Sequence, residues 1–368
     1  MPRYDIAVIG LGAMGSAALW QMAAAGLRVI GFDQHLPPHT LGSSHGQSRV
    51  IREAYFEHPA YVPLLQRAYP LWQRLQQETG EELLQITGGL MMGPPNGELV
   101  AGCLESARRY DLAHQLLHAG QIPGPFCLPD DFQAVSEPRA GLLYPERCIQ
   151  AMLNLARAAG ASIQAPDPVR NWQALPEGFE IIADSGSYRA RKLVICAGAW
   201  LTRLLPELAL PLTVTRQSLF WFDALDPDAF ALGSFPVFLI EVEPGAYLYG
   251  FPDTGTGVKV ALHQPGRPLE PDLLALQQLE AAELSQMQAL LARYLPLANG
   301  SLRDSAICMY TNAPDGHFRL DTHPAHPDLL LVSPCSGHGF KFAAVIGDEV
   351  SRWAQHMPPG DDLSLFRF

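Results

Sequence analysis

The apolar positions at the start of the chain fall into two kinds of run. "YDIAVIG" (4–10) and "LRVIGFD" (27–33) are almost continuously apolar, the pattern of strands buried on both faces of a parallel sheet. Between them, "AMGSAALWQMAAAG" (13–26) is made of helix formers and ends in a glycine that predicts a C-cap. This is a βαβ opening. "LPPHTLGSSHGQSR" (36–49) holds Pro37, Pro38 and Gly42, which exclude regular structure at its start and predict a loop of functional length. "YVPLLQRAYPLWQRLQQETG" (61–80) has the amphipathic period of a helix, interrupted or kinked near Pro70. Helices are also expected over 97–111 and 148–161. A hairpin over 178–200 feeds a third buried strand, "KLVICAGAW". Residues 212–263 change character to aromatic and β-branched runs separated by turn signals, which predicts an antiparallel sheet. One or two helices follow over 271–296. "DLLLVSPCSGHGFKFAAVIGDEVSRWAQ" (328–355) returns to strand, glycine-rich turn and helix.

These elements predict an α/β fold, α+β overall: a Rossmann-like nucleotide-binding domain built from separated segments, with a second, mixed or antiparallel-sheet domain hung from its loops. The expected division is 1–84, 140–210 and 300–368 for the first domain, and 85–139 and 211–299 for the second. The length of 368 residues and the 48% hydrophobic content suit two cores. A net charge of -12 speaks against nucleic acid as a partner. No apolar run reaches the roughly eighteen residues a membrane helix needs, and the N-terminus lacks the regions of a signal peptide. The expectation is a cytoplasmic protein. Its six scattered cysteines form no CxxC pair and are expected as free thiols.

Gly10, Gly12 and Gly15 form G-x-G-x-x-G directly after the first strand. The first glycine permits the tight turn, the second lets a pyrophosphate approach the backbone, and the third allows close helix–strand packing. Asp33 ends the second strand, placed to accept from ribose hydroxyls. The fingerprint does not distinguish NAD from FAD. In "GSSHGQSRVIREAY" (42–55), His45, Arg49, Arg52 and Tyr55 crowd together; as bland surface, Arg49 and Arg52 would share one helix face and repel slightly. In "SGHGFKF" (336–342), Gly337 and Gly339 allow close backbone approach. Lys341 stands at a helix entry, where a cation either reaches solvent or holds an anion; His338 is expected to be structural. In "GVKVALH" (257–263), alternation puts Lys259, Ala261 and His263 on one strand face, either exposed or lining a cavity. His317, His323 and His326 have no metal-ligand spacing, and no metal is expected. Cys308, in "AICMYTNAPDGHF" (306–318), is open to four readings: disulfide, packed thiol, metal ligand or covalent cofactor link.

With these pieces in view the chain resembles the monomeric sarcosine oxidase family, which includes N-methyltryptophan oxidase. The likeness runs over nearly the whole length and is carried by "IGLGAMGSAA", "PPHTLGSSHGQSRVIREAYFEHPAYVPL", "CAGAW", "YLYGFP", "AICMYTNAPDGHF" and "CSGHGFKF". The resemblance implies an FAD-binding domain of the glutathione-reductase-like type and a covalent flavin bond to Cys308 within a C-x-Y-T segment. It implies that Arg52 and Lys341 clamp the substrate carboxylate, and that Lys259 lies beside the flavin and aids its reaction with O2. His45, Ser48 and Arg49 match residues around the flavin ring; Lys259, His45, Arg49, His263 and Tyr310 are the expected catalytic residues, and Lys341 is also expected to touch the cofactor. Tyr55, Leu239, Tyr249, His263, Tyr310 and Gly337 are expected around the substrate. Ser43, Ser44, Ala197, Gly198, Gly339 and Phe340 join the three glycines and Asp33 as expected cofactor contacts. Ser44, Gln47 and Leu239 depart from the family pattern and leave the substrate's identity open.

The implied function is oxidation of a secondary amine — sarcosine, an N-methyl-L-amino acid, proline or pipecolate — to an imine, with O2 reduced to H2O2. The implied enzyme is a monomer whose partners are its amino acid substrate and O2. The alternatives are a flavin-dependent dehydrogenase using another electron acceptor, an NAD-dependent dehydrogenase, and a non-enzymatic nucleotide-binding module.

Overall fold

The computed structural model describes residues 3–367. Among these residues the strands form two eight-stranded sheets and a three-stranded one. In the first sheet, Arg3–Ile9 pairs in parallel with Val29–Phe32 on one side and with Gly186–Ile195 on the other. Gly186–Ile195 pairs in parallel with His326–Ser333, opposing Leu193 to Leu329. Ser162–Gln164 extends the far edge, and the hairpin strands Val169–Leu175 and Gly178–Ala183 add an antiparallel wing. The continuous apolar runs are explained by this arrangement, because these strands are covered on both faces.

Helix Ala13–Ala24 is buried almost all round rather than along one stripe. Its alanines let the helices Pro145–Ala158 and Ala343–Ala354 pack closely against it. At Gly347 an added Cβ would lie 2.6 Å from the Ala17 carbonyl carbon, so the contact is backbone against backbone. Val345, Ile346 and Val350 on the last helix are fully buried, each contributing about 1.5–3 kcal/mol of apolar burial.

The second sheet runs in the order Leu302–Asn312, Thr213–Phe222, Val258–His263, Ala246–Gly250, Val237–Glu243, Gly89–Gly93, Gln133–Glu137 and Gln115–His118. It is antiparallel except where Val237–Glu243 meets Gly89–Gly93. Its far face rests on a separate, phenylalanine-rich core that includes Phe220, Phe222, Phe230, Phe235 and Phe238. The small third sheet joins Arg49–Ile51, Gly141–Leu143 and Leu84–Ile86.

Two expectations need correction. Residues 302–312 lie in the second sheet rather than with the nucleotide-binding segments of 300–368. The reason is their long antiparallel register with Thr213–Phe222, which opposes Gln217 to Cys308. The helix Tyr61–Thr79 runs through Pro70 without interruption; the buried residues Leu64, Leu65, Ala68, Tyr69 and Trp72 hold it on both sides of that position. The stretch 271–296 meets its expectation of one or two helices, with a 3-10 segment Pro271–Leu276 and one α-helix, Ala281–Tyr294.

Candidate active site

The turn after strand Arg3–Ile9 is shaped by its glycines in three different ways. Gly10 has φ +91°, and a Cβ there would meet the Cys196 carbonyl oxygen at 2.4 Å. A Cβ on Gly15 would lie 1.7 Å from the Gly10 carbonyl oxygen, so helix and strand touch at that point. Gly12, the helix N-cap, has open space instead, with only Ser44 Oγ at 3.7 Å from the position of a Cβ. It borders a cavity of about 530 Å³. Asp33 lies on the same cavity. Its Oδ2 accepts from the Leu11 amide at 2.8 Å and its Oδ1 from the His35 amide at 2.9 Å. Ser43, Ser44, Ala197 and Gly198 line this end, and Ser333, also on the cavity wall, has a buried hydroxyl without a partner. A bare backbone turn at a helix N-terminus, with an acid at the end of the next strand, fits a dinucleotide.

The middle of the cavity carries cations. Arg49 extends toward Cys308: its guanidinium donates to the Ser48 and Ser43 carbonyls at 2.8 and 3.0 Å and sits 3.8 Å from Cys308 Sγ. Arg52 is turned the other way. The shared helix face considered for the two arginines is absent, because Arg49–Ile51 is a strand, and in extended backbone residues three apart lie on opposite sides. Both still border the cavity. Cys308 is buried among Leu219, Trp221 and Ala261 and lines the cavity wall. It is a free thiol, and among the described residues no cluster of three His, Cys, Asp or Glu could hold a metal ion. The packed-thiol and cofactor-link readings remain.

Lys259 and His263 share a strand face as the alternation predicts, yet only His263 lines the cavity. The Lys259 ammonium is buried and donates to the Gly46 and Ser48 carbonyls at 2.5 and 2.8 Å. Burial, with Arg49 adding, holds its pKa well below the usual lysine value. The same loop is fixed from the other side by Glu146, which accepts from the Gly46 and Gln47 amides at 2.7 and 3.1 Å. His45 is buried, with its Nε2 unpartnered. Burial and Arg49 lower its pKa to about 4, so the ring is neutral. His45, Ser48, Lys259, Gly15 and Tyr55 therefore stand behind the cavity wall rather than on it.

The far end holds the second pair of cations. Arg52, only 2% exposed, donates to both oxygens of Glu57 at 2.9 and 2.8 Å and to the Ala54 carbonyl at 2.8 Å. Its guanidinium lies over the rings of Tyr55 and Phe56. Burial raises the Glu57 pKa, but Arg52, helped by His338 and Lys341, outweighs it and brings it to about 2. Lys341 Nζ donates to the His338 carbonyl at 2.8 Å and to the Tyr55 hydroxyl at 3.4 Å. Burial and the nearby Arg52 lower its pKa to about 7. Leu239, Tyr249, His263, Tyr310 and Gly337 enclose the space between these cations and Cys308. Burial lowers the His263 pKa to about 4. Gly337 has φ +79°, and a Cβ there would strike Tyr310 and His263 at 2.6 and 2.7 Å; only bare backbone fits. A mainly apolar space with two cations at one end can hold and orient a small carboxylate.

Glu57 and His338 are two site residues that sequence reasoning passed over as functional. Glu57 lies in an irregular stretch where no period marks it. His338 had a signal in its place between Gly337 and Gly339.

A family model described as "FAD dependent oxidoreductase" (DAO) matches residues 5–353. A monomeric sarcosine oxidase of Streptomyces avermitilis is 39% identical over 376 residues, covering 99% of this chain and 97% of that protein. An N-methyl-L-tryptophan oxidase of Yersinia pestis is 36% identical over 370 residues, covering 99% and 98%. Among solved structures, NikD, described as an unusual amino acid oxidase essential for nikkomycin biosynthesis, superposes with a TM-score of 0.86 at 23% identity over 100% of this chain and 98% of that one. Glycine oxidase from Geobacillus kaustophilus gives 0.81 at 20% identity over 100% and 98%. These two share the fold.

Proposed function

The chain belongs to the FAD dependent oxidoreductase family, and from that premise we propose that it oxidises a secondary amino acid, N-methylated or cyclic, to an imine with O2 as the electron acceptor. The observation that carries this reading is one cavity joining a dinucleotide cradle at Gly12 and Asp33 to Arg52 and Lys341, with Cys308 on the wall between. FAD bound there supplies the acceptor for the hydride equivalent. The protein's part is placement. Lys341 and Arg52 hold the substrate carboxylate, so the amine end points back toward Cys308 and Arg49. The aromatic walls of Tyr249 and Tyr310 and the bare Gly337 backbone leave room for a flat or N-methylated amine and exclude bulk water. His263 is neutral and so adds no charge that would repel a protonated amine. The amine loses two electrons and two protons, O2 takes them up as H2O2, and water hydrolyses the imine.

We also infer that Cys308 carries the flavin. Its thiol lies at the cavity wall, 3.8 Å from the Arg49 guanidinium, within a C-x-Y-T segment like the one the resemblance links to the flavin. Denatured, acid-precipitated protein is expected to keep its flavin absorbance, and Cys308→Ser to release it; flavin that washes out of the wild type would remove the link. As with the relatives named monomeric, a monomer is the proposed state. The function itself is tested by a peroxide-coupled screen of sarcosine, N-methyl-L-amino acids, proline and pipecolate. Turnover of one of these with H2O2 formed in equal amount supports the reading. Turnover only with an artificial electron acceptor would make the protein a dehydrogenase, and no turnover of any would discard the substrate class.

A further inference from the structure

His338 meets Lys341 in two ways, once directly and once through Tyr55. One ammonium proton goes to the His338 backbone carbonyl at 2.8 Å. A second goes to the Tyr55 hydroxyl at 3.4 Å, and that hydroxyl is 2.5 Å from His338 Nδ1. The other ring nitrogen, Nε2, lies 3.1 Å from the Gly316 carbonyl. A carbonyl can only accept, so Nε2 carries the proton and Nδ1 is the acceptor. Tyr55 must then donate to His338, which leaves its lone pairs for Lys341. The third ammonium proton has no partner among the described residues, and the side chain borders the cavity.

We propose that His338 is a positioning residue for Lys341: its ring fixes the direction of the Tyr55 hydroxyl, and the two together aim the one uncommitted N–H of Lys341 into the cavity. This rests on the reading of Lys341 as a carboxylate holder. The surroundings leave the ring little freedom. It stacks on Phe318 at 4.8 Å and meets Tyr61 edge-on at 5.4 Å. Its amide donates to the Cys335 carbonyl at 3.0 Å. The neighbouring Ser336 is pinned to the end of the Cys308 strand, its amide on the Thr311 carbonyl at 2.9 Å and its hydroxyl accepting from the Ala313 amide at 3.2 Å. Lys341 is anchored separately, its carbonyl accepting from Trp72 Nε1 at 2.8 Å. A ring flipped by half a turn would present carbon to the Tyr55 hydroxyl and leave a buried donor unpaired. Burial keeps the imidazole neutral, with a pKa of about 3, as an acceptor at Nδ1 requires.

Two substitutions separate the roles of the two ring nitrogens. His338→Asn places an acceptor oxygen at the same bond distance from the backbone as Nδ1. His338→Gln places its amide where Nε2 stood, keeps a donor for Gly316 and leaves Tyr55 without an acceptor. The probe is acetate, which has a carboxylate and no amine, and its dissociation constant on the holoenzyme is measured by calorimetry. His338→Gln is expected to weaken acetate about tenfold, the worth of one ordinary hydrogen bond. His338→Asn should stay within about threefold of the wild type, and His338→Gln should add nothing in a Lys341→Met background. If Gln and Asn behave alike, if Gln is harmless, or if its effect survives the loss of Lys341, His338 does not act through Lys341. Should His338→Gln fail to fold, Tyr55→Phe takes its place, with the same tenfold loss expected and the same dependence on Lys341. Unchanged acetate affinity in Lys341→Met alone is a different failure: it removes the carboxylate clamp and this proposal with it.

Discussion

Raising the pH through neutrality should release a bound carboxylate, and the cause can be followed to one side chain. Lys341 is 6% exposed. Burial and the like charge of Arg52 lower its pKa to about 7, with Glu57 opposing the change and Arg49 adding to it. The sign follows directly. Below that value the ammonium is charged and attracts an anion; above it the neutral amine does not. Arg52 stays charged throughout, since Glu57 holds its guanidinium pKa above the usual value. Acetate is ionised from about pH 6 upward and carries no amine to titrate. Its dissociation constant should be level below about pH 7 and then rise about tenfold per pH unit, until the pH reaches the higher pKa of the occupied site. Binding must also take up a proton: near pH 8, one unit above the pKa, about 0.9 proton per acetate. Calorimetry in two buffers of different ionisation enthalpy measures both quantities on the holoenzyme. Lys341→Met should bind acetate weakly and without the slope. A level profile between about pH 6 and pH 9 in the wild type, or the same slope in the mutant, would place the titrating group elsewhere and refute the assignment.

Lys259→Met should slow the reaction of the reduced enzyme with O2 far more than anaerobic reduction by substrate, because the deleted charge is one that developing negative charge would use; stopped-flow traces of the two steps give the ratio, and equal losses would make Lys259 a brace for the 46–48 loop alone. Gly12→Ala should fold with stability within about 1 kcal/mol of the wild type but lose FAD, whereas Gly15→Ala, whose Cβ would meet the Gly10 carbonyl at 1.7 Å, should cost more than about 3 kcal/mol and fail to accumulate; thermal melts and bound-flavin absorbance distinguish the two outcomes. Arg67 ties together Asp348, Glu349 and Asp361, and Arg67→Ala should lower stability by about 2–3 kcal/mol in urea titration, because it leaves the buried Glu349 without its cation.

The βαβ opening was legible because everything that specifies it is local: a buried strand, three spaced glycines, an acid. The antiparallel stretch 212–263 was legible for the same reason, through alternation and turn residues. The partner of Cys308 was not. Leu302–Asn312 lies about eighty residues beyond Thr213–Phe222, and nothing in its own composition says which sheet it completes. Strand alternation put Lys259 and His263 on one face correctly, but it could not say that the lysine head would be taken up by the Gly46 and Ser48 carbonyls. The bland reading of Arg49 and Arg52, a shared helix face, fails because Arg49–Ile51 is a strand, and three strand residues are too few to show a period. Glu57 was invisible for a related reason: in irregular backbone an acid five residues from an arginine has no preferred direction until the fold supplies one.

The pairing of Gly186–Ile195 with His326–Ser333, and the backbone contact of Gly347 with Ala17, have a consequence for how the protein is made. Of these elements the first strand and its glycine turn are made first, but the strand Gly186–Ile195 beside them comes from mid-chain, and the strand and helix that complete the cover, His326–Ser333 and Ala343–Ala354, come later still. Until residues 326–354 are synthesised, the nascent chain holds an apolar ribbon with one side unclosed, and pairings of such long sequence separation form slowly. Capture of the flavin is thereby expected only after residues 343–354 have been made, and loss of the helix Ala343–Ala354 should yield a chain that never forms the nucleotide cradle at all. A stop codon just before residue 343 would be as damaging as one near residue 190.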